Sequence, residues 1–554
     1  MGKGKRAAVA RFQPPLSTTD VLSKPAPSVL LDGPSLYNSE AAAPPADEEH
    51  LIEEAPLFTL VTTYLSYFIL ILFGHMRDLI DSIVRPGEFR HLKAHGGYAP
   101  INSGFDTFYH RRLYTRIRDV FNRPITNVPG RTVHTLERVS NDYNKSFTLV
   151  RRHALVLTKA CATISLTGNV HEVLNLSSYN YLGFAQAEGP CADAVETTVR
   201  KMGISSCSTR MEAGSLDLHD EVEALVARFL GQEDAIVFSM GFATNSTTLP
   251  SLVGKGDLIL SDELNHSSLV FGSRLSGATI RVFKHNNPAD LEATLRDAIA
   301  QGQPRTHRPW KKILVVIEGL YSMEGNICNL PPIIELKKKY NFYLFMDEAH
   351  SIGALGPNGR GVCDYYGIDP ASIDICMGTF TKSFGAAGGY IAAKREIIDH
   401  LRMTSHASVY AEAMPIPVLQ QVLTSMRIIM GEIGGDEGRH RIQTLARNSR
   451  FFASELRKMG FIVYGRDSPV IPLLLFHPAK IPAFSREMLA RGIAVVVVGY
   501  PATPIITSRV RFCISAAHTM EDLEWALQQI SEVGDLLGLK IAKALPAPAK
   551  VKVL

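Results

Sequence analysis

The chain has 554 residues, of which 46% are hydrophobic and 20% are charged, as is typical of a globular protein with a large core and more than one domain. Its formal net charge of +4 is too small to indicate a nucleic-acid partner. The seven cysteines are widely scattered and form no CxxC pair, which favours reduced thiols in a cytosolic environment over a disulfide framework or a metal site.

The beginning of the chain combines a polar segment with an apolar one. Residues 1–54 are rich in proline, alanine and serine and end in an acidic cluster, which predicts a disordered segment. Residues 55–74 contain no charged side chain, and a helix of this length spans roughly 30 Å, the thickness of a bilayer core. Hydroxyl side chains dilute its hydrophobicity, so a buried helix of a globular domain is the alternative. Because nothing around the segment could cover it on every side, we expect a membrane helix over residues 55–74.

The charges beside this segment predict its orientation. Arg77, Arg85 and Lys93 follow it, whereas its near N-terminal side is acidic, so the positive-inside tendency places the rest of the chain in the cytosol. Residues 76–93 mix apolar and charged side chains at spacings that suit either a short interfacial helix or an amphipathic helix packed on protein. Basic and aromatic residues follow, and we interpret 75–150 as an interfacial helix and a subunit-contact segment.

From about residue 151, short apolar strands alternate with longer amphipathic stretches, which predicts a mostly parallel, buried sheet with crossover helices in a large domain over 151–430. The predicted strands are Ala235–Phe238, Leu258–Leu260, Ile313–Ile317, Tyr343–Met346, Ile375–Met377 and Gly389–Ala393. A helix over 439–459, further apolar strands and a final helix capped by Thr519 predict a smaller α/β domain over 431–540. Residues 541–554 are interpreted as a tail.

The chemistry of the chain centres on Lys382. It lies among small residues, downstream of an apolar stretch that ends in Asp347 and His350. A lysine amine can form a Schiff base with the aldehyde of pyridoxal phosphate, and a buried carboxylate can keep the pyridine nitrogen protonated. The pattern therefore predicts a pyridoxal phosphate site.

Other strand ends could complete such a site. The backbone at Gly241 and Phe242 follows a strand and opens a helix, which suits a phosphate, and the hydroxyls of Thr379 and Thr381 could assist. His266 follows a further strand and could lie over the pyridine ring. Each feature alone is an ordinary turn or a structural histidine, and only their combination favours a cofactor site.

The Asp-Glu-Ala-His string at 347–350 also occurs in helicases, where it coordinates Mg²⁺. That interpretation requires a GxxxxGK[ST] loop upstream, and the sequence contains none. We therefore reject a nucleotide hydrolase.

Four strings occur in the order found in the α-oxoamine synthases, and over about residues 150–535 the chain resembles this family. They are Asn175–Gly183, Asp262–His266, Asp347–His350 and Thr379–Lys382. These are fold-type-I pyridoxal phosphate enzymes, similar in fold to aspartate aminotransferase, that condense an amino acid with an acyl-CoA. The apolar segment 55–74, residues 116–119 and residues 497–504 resemble the catalytic long-chain-base subunits of eukaryotic serine palmitoyltransferases.

The resemblance implies a role for each matching residue. Lys382 would carry the cofactor and remove the Cα proton, Asp347 would pair with the pyridinium nitrogen, and His350 would hydrogen-bond the ring hydroxyl. His266 would stack on the ring and contact the substrate. The positions that match cofactor contacts are Gly241, Phe242, Ser322 and Thr379, and those that match residues near the amino-acid carboxylate are Tyr179 and Asn180.

The resemblance further implies a reaction, partners and a location. L-serine and palmitoyl-CoA would give 3-ketodihydrosphingosine, CoA and CO2, the first step of sphingolipid synthesis. The chain would work with a related subunit that lacks the lysine and with small regulatory membrane subunits. It would lie in the endoplasmic reticulum membrane with its catalytic domain in the cytosol.

One departure concerns substrate binding. Bacterial members of the family carry a carboxylate-binding arginine where this chain has Gly499. The serine carboxylate would therefore be bound elsewhere, by Arg511 or by a partner subunit. Two alternatives remain open: a glycine-using α-oxoamine synthase, such as 5-aminolevulinate synthase or glycine acetyltransferase, and a non-catalytic membrane-bound paralogue. Neither accounts for all features, because the former does not need a membrane helix and the latter does not need Lys382.

Overall fold

The structure is a computed structural model that describes residues 56–94, 96–100, 107–149 and 169–542. The predicted disordered segment 1–54 and most of the predicted tail lie outside the described residues, as does Cys161. The six cysteines within the described part are free thiols.

Helices and strands alternate along most of the described chain. The helices are α1 (Leu57–Val84), α2 (Phe108–Arg112), α3 (Pro190–Met202), α4 (Asp217–Leu230), α5 (Gly241–Leu252), α6 (Ser267–Ser276), α7 (Pro288–Gln301), α8 (Leu330–Tyr340), α9 (Val362–Tyr366), α10 (Arg395–Thr404), α11 (His406–Val409), α12 (Ile416–Ile429), α13 (Glu437–Lys458), α14 (Lys480–Ala490) and α15 (Met520–Leu537). Short 3-10 turns lie at Pro86–Leu92, Tyr114–Val120, Pro370–Ser372 and Ile505–Thr507. The strands are β1 (Thr132–Leu136), β2 (Arg138–Val139), β3 (Thr148–Leu149), β4 (Val170–Asn175), β5 (Asp234–Phe238), β6 (Leu258–Asp262), β7 (Thr279–Phe283), β8 (Ile313–Glu318), β9 (Tyr343–Asp347), β10 (Ile375–Thr379), β11 (Gly389–Ala393), β12 (Val470–Leu474), β13 (Ile493–Ala494), β14 (Val496–Val498) and β15 (Arg509–Cys513).

A seven-stranded sheet in the order β5-β11-β10-β9-β8-β6-β7 forms the centre of the molecule. Its neighbouring strands are parallel except for β11, which is antiparallel to both β10 and β5. Helices cover both faces, so the inner strands are apolar and buried throughout. The predicted mostly parallel sheet is confirmed. The strands that run in parallel end at one edge, where Asp347, Thr379 and Glu318 lie.

Each of the six predicted strands occurs in this sheet, and the structure adds β7. That strand lies at the edge beside β6, and only Phe283 in it is fully buried. An edge strand needs fewer apolar side chains than a central one, which explains why the sequence pattern did not reveal it.

The C-terminal part contains a second sheet, in the order β12-β15-β14, with α13, α14 and α15 around it. The final helix begins as predicted, because the Thr519 hydroxyl accepts a hydrogen bond from the backbone N–H of Asp522 at 3.2 Å and the Asp522 carboxylate accepts one from the backbone N–H of Thr519 at 2.9 Å. Strand β13 pairs with β4, which in turn pairs with β1, so strands from before the large sheet join this part.

The N-terminal apolar segment forms α1, which is long and apolar enough to cross a membrane. Most of its side chains are exposed, whereas the residues Thr63, Tyr67 and Gly74 are buried. The helix continues to Val84 instead of ending at residue 74. The predicted membrane and interfacial segments therefore share one helix, followed by the 3-10 turn at Pro86–Leu92.

Three sets of contacts hold α1 against the rest of the protein. Ser66 is hydrogen-bonded to the ring of His477, beside the second sheet. Further towards the C-terminus of α1, the His75 ring stacks on the Phe108 ring with 4.0 Å between the ring centres, and a side chain at Gly74 would collide with Phe108. In the last turns, Asp78 and Asp81 form ion pairs with Arg111 and Arg112.

Candidate active site

Asp347 lies at the end of β9, where it is buried between two hydrogen-bond donors. Its Oδ2 accepts a hydrogen bond from the Asn245 side-chain amide at 2.7 Å, and its Oδ1 accepts one from the backbone N–H of Ala349 at 2.8 Å. These donors fix the orientation of the carboxylate. The site therefore contains a buried and oriented carboxylate.

Lys382 follows β10 in the adjacent loop. Its Nζ donates a hydrogen bond to Thr379 Oγ1 at 3.3 Å and lies 5.8 Å from the centre of the Tyr179 ring. Burial lowers the pKa of Lys382 to about 8, although Asp347 and Glu318 act in the opposite direction. A substantial fraction of this amine is therefore neutral near physiological pH, as a nucleophile or a base requires.

His350, in the turn after β9, is buried against two tyrosines. Its Nδ1 lies 2.8 Å from the Tyr181 hydroxyl, and its ring meets that of Tyr179 edge-on at 5.2 Å. Burial, together with the positive charges of Lys382 and Arg511, lowers the pKa of His350 well below its usual value. The ring is therefore neutral and can exchange hydrogen bonds without carrying a charge.

His266 precedes α6 and caps that helix, and its side chain remains accessible at the site. The ring lies 6.4 Å from that of Phe242, and its Nδ1 lies 2.7 Å from the Ser268 hydroxyl. Partial desolvation lowers the pKa of His266, and Lys382 lowers it further against the opposing effect of Asp347. A neutral ring thus faces the same region as Lys382.

The start of α5 supplies backbone donors beside these groups. The helix begins at Gly241, directly after β5, and no side chain caps its first N–H groups. A Cβ atom on Gly241 would lie 3.0 Å from Thr379 Cγ2, so the glycine allows the helix end to approach β10 closely. Thr381 donates a hydrogen bond to Thr379 Oγ1 at 3.2 Å. The structure thus brings the predicted phosphate-binding residues together at a positive helix end.

Arg511 on β15 reaches the site from the second sheet. Its guanidinium lies 4.8 Å from the centre of the Tyr179 ring, is hydrogen-bonded to the Tyr179 hydroxyl, and donates to the carbonyl of Ser322 at 3.4 Å. It is only 6% exposed, its Nε lacks a partner, and no carboxylate of the described residues pairs with it. A buried cation without a counter-ion favours an anionic ligand.

The predicted residue Asn180 is placed differently from Tyr179. Its amide donates to the carbonyls of Pro129 and Ala185 and accepts from the backbone N–H of Ala185. These bonds occupy the side chain, which therefore shapes the loop around the site. Lys382, Tyr179 and Asn180 nevertheless line one cavity of about 360 Å³.

These residues fit pyridoxal phosphate. The cofactor requires an amine, a carboxylate for its ring nitrogen and donors for its phosphate. Lys382 supplies the amine, Asp347 the carboxylate, and the start of α5 with Thr379 the donors. The predicted set of cofactor residues is compatible with one bound molecule.

Sequence reasoning missed residues that hold the predicted ones. Asn245 binds Asp347, Tyr181 binds His350, and Glu318 accepts a hydrogen bond from the backbone N–H of His266. Tyr181 lies within the string Asn175–Gly183, and Asn245 lies in the helix that Gly241 opens, but residue type alone does not show which partner each binds.

Comparison with known proteins identifies the family. Residues 171–530 match the family described as aminotransferase class I and II. The chain is 53% identical over 491 residues to serine palmitoyltransferase 2 of Schizosaccharomyces pombe, covering 88% of this chain and 79% of the relative. The chain belongs to the serine palmitoyltransferase 2 family.

Other members of the serine palmitoyltransferase 2 family are similarly close. Long chain base biosynthesis protein 2d of Oryza sativa is 53% identical over 486 residues, which cover 88% of this chain and 95% of the relative. Serine palmitoyltransferase 3 of Homo sapiens is 51% identical over 495 residues, with 89% and 87% covered. The resemblance inferred from the sequence motifs is therefore confirmed.

Solved structures agree in fold. A high-resolution structure of serine palmitoyltransferase with a pyridoxal phosphate internal aldimine has a TM-score of 0.61 and 30% identity, over 66% of this chain and 89% of that chain. The enzyme of Sphingomonas wittichii has a TM-score of 0.62 and 30% identity, over 67% and 90%. The fold-type-I prediction is confirmed.

Proposed function

We propose that this chain is the catalytic subunit that condenses L-serine with palmitoyl-CoA, releasing CoA and CO2 and forming 3-ketodihydrosphingosine. The observation that carries the proposal is the proximity of Lys382 to two buried charged groups, since Asp347 and Arg511 both act on the pKa of its amine. Lys382 lines one cavity with Tyr179, whose hydroxyl is hydrogen-bonded to Arg511. The relatives named serine palmitoyltransferase support the choice of substrates.

Pyridoxal phosphate is the proposed cofactor, and when bound it withdraws electrons from the amino-acid Cα. Asp347 would hold the ring nitrogen protonated, and His350 would hydrogen-bond the ring hydroxyl. The start of α5, Thr379 and Thr381 would bind the phosphate. Ser322, which lies beside Arg511, would contribute a further cofactor contact.

Lys382 would hold the cofactor and then move the Cα proton of serine. Its lowered pKa supports both tasks, because only the neutral amine can bond to an aldehyde or accept a proton. His266 would lie over the cofactor ring and contact the substrate. Because the pKa of His266 is also lowered, its imidazole would act as a neutral hydrogen-bond donor.

Arg511 would bind the serine carboxylate. It occupies a buried position that leaves its charge unpaired, and its guanidinium lies 4.8 Å from the centre of the Tyr179 ring, which is 5.8 Å from the Lys382 amine. This position would allow carboxylate binding without an arginine at the position of Gly499. Tyr179 would line the same amino-acid pocket.

An apolar cavity suits the acyl chain of the second substrate. It has a volume of about 500 Å³ and lies between α1, the segment after α2 and the loop at Gly499–Ala502. Filling it with Ile117→Trp should lower turnover of palmitoyl-CoA more than that of a shorter acyl-CoA. Equal losses with both acyl chains would argue against this placement.

Partner subunits and location form part of the same proposal. Exposed apolar side chains, including Phe242, Phe271 and Leu275, lie on α5 and α6 beside the site and are suited to a related, non-catalytic subunit. The exposed apolar helix α1 supports anchoring in a membrane, which we propose to be that of the endoplasmic reticulum. Small regulatory membrane subunits would complete the assembly.

Two measurements test the function. Purified wild-type protein should show visible absorbance from the bound cofactor, and Lys382→Ala should abolish it. Turnover with serine should then be compared with turnover of glycine, with partner subunits present. Preference for glycine and a short acyl-CoA would refute serine as the substrate. Identical spectra for wild type and Lys382→Ala would refute the proposal that the chain is an enzyme with its cofactor on Lys382.

A further inference from the structure

Asn245 links two parts of the site. Its side-chain nitrogen carries two hydrogens, of which one is donated to Asp347 Oδ2 at 2.7 Å and the other to the Ser268 hydroxyl at 2.9 Å. The opposite amide orientation would place the Asn245 oxygen against a carboxylate that cannot donate. The buried pair Asn245–Ser268 is therefore oriented by the charge of Asp347.

Ser268 passes this orientation on to His266. Because the Ser268 oxygen accepts from Asn245, its own hydroxyl proton is available for His266 Nδ1, 2.7 Å away. The backbone N–H of Ser268 also donates to His266 Nδ1 at 3.2 Å. Two donors at Nδ1 require that this nitrogen is the acceptor, so the proton of the neutral ring lies on Nε2.

The main chain of His266 is held separately. Its backbone N–H donates to the buried carboxylate of Glu318, at the end of β8. Glu318 and Asp347 occupy paired positions on adjacent parallel strands, so the same sheet edge supports both the histidine and the cofactor carboxylate. The charged groups that act on the ring are Asp347 and Lys382.

We propose that Asn245 and Ser268 are positioning residues of the transferase site, which hold His266 with its N–H at Nε2 and connect that ring to the Asp347 carboxylate. This inference deepens the proposed function and rests on it for the role of His266. The Nε2 N–H of His266 is then a donor of fixed position that is available to a group on the substrate.

The alternative is that His266 merely caps α6, a task that its bond to the backbone of Ser268 already performs. In that case the Ser268 hydroxyl contributes nothing to the ring. The two possibilities differ in the pKa of His266, because a donor to Nδ1 stabilises the neutral ring and opposes protonation.

The test measures the pH midpoint of deuterium exchange at the His266 ring C2–H by mass spectrometry, in the full-length chain stripped of cofactor. Ser268→Ala should raise the midpoint by about half to one pH unit, the equivalent of one neutral hydrogen bond. Ser268→Thr, which keeps a hydroxyl, should match the wild type. Ser267→Ala is the matched control at the adjacent exposed serine and should also match it.

An unchanged midpoint in Ser268→Ala would overturn the proposal, as would a shift of equal size in Ser268→Thr. If Ser268→Ala does not fold, Asn245→Ala tests the same link, since the hydroxyl then loses the donor that orients it. A shift in the same direction is expected, and no shift refutes the connection. The measurement requires neither substrate nor turnover. The link between Ser268 and His266 can therefore be refuted while the transferase function holds, and the transferase function can be refuted while the link holds.

In the holoenzyme, Ser268→Ala should lower kcat with serine, and Ser268→Thr should restore it. The KM for palmitoyl-CoA should be unchanged in both variants. A loss confined to KM for palmitoyl-CoA would contradict a role through His266.

Discussion

Replacement of Arg511 tests how the amino-acid substrate is bound. Arg511→Gln removes the positive charge from a residue that is 6% exposed, and Arg511→Lys keeps the charge without the planar fork. If Arg511 binds serine as proposed, loss of the charge would leave the serine carboxylate without its partner. Both variants remove or weaken the contact with the Tyr179 hydroxyl as well.

The expected size of the effect follows from the burial of the group. A hydrogen bond between charged groups contributes about 1.5–3 kcal/mol, which corresponds to roughly a 10- to 150-fold rise in KM for serine in Arg511→Gln. Because no carboxylate of the described residues pairs with Arg511, the substitution leaves no buried anion behind. Folding should therefore suffer less than serine binding.

The assay is steady-state turnover with serine and palmitoyl-CoA varied in turn. Arg511→Gln should raise KM for serine, Arg511→Lys should give an intermediate value, and KM for palmitoyl-CoA should stay constant. Arg491→Gln removes a half-buried partner of Glu487 on α14 and serves as the control. A rise confined to palmitoyl-CoA would refute the assignment, as would wild-type kinetics in Arg511→Gln.

Three further predictions concern the cofactor lysine, a supporting tyrosine and the membrane helix. When pyridoxal phosphate is added to cofactor-free protein, stopped-flow absorbance should show that the rate of its attachment to Lys382 rises with pH up to about 8 and then levels off. A rate that keeps rising up to the pH at which an ordinary lysine titrates would contradict the lowered pKa. Tyr181→Phe removes a hydroxyl hydrogen-bonded to His350, and kcat should fall by roughly 2- to 13-fold with little change in thermal unfolding; unchanged kcat would exclude the role. Phe68→Asp combined with Leu72→Asp places two charges on the exposed face of α1, and inserting each into a bilayer costs about 2.5–3.5 kcal/mol. The protein should therefore shift to the soluble fraction on alkaline extraction. Full retention in membranes would contradict embedding of α1.

The central sheet was predictable because its inner strands are buried on both faces and therefore read as apolar runs. The edge strand β7 pairs with a neighbouring strand on one side, so its side chains are less completely buried and Val282 is exposed. The pairing of β13 with β4 was not predictable either, because it joins segments more than three hundred residues apart that carry no matching pattern. Local periodicity predicts elements more readily than distant partners.

The same distinction applies to the site. Asp347 ends β9 and Lys382 follows β10, both within distinctive strings, so residue type and position predicted that they would lie in one site. Asn245 and Tyr181 act through partners 102 and 169 residues away, and sequence alone did not connect them. Their importance follows from bonds that only the folded chain forms.

The length of α1 shows a third limit. The change from apolar to charged residues after Gly74 indicated two segments, yet the backbone has no helix breaker before Pro86. Gly74 does not interrupt the helix, because it is buried against Phe108, where a larger residue would collide. Side-chain polarity thus marks a change of surroundings without marking the end of a helix.

The three attachments of α1 also restrict how the protein can stand on a bilayer. Contacts near Ser66, at Gly74 and at Asp78 and Asp81 are spread along the helix and fix its orientation relative to the rest of the protein. With α1 embedded in a bilayer, these contacts set the height and tilt of the Lys382 pocket above the lipid, whereas a flexible linker would let the catalytic domain rotate. Molecules that arrive from the lipid phase would then always meet the same side of the enzyme.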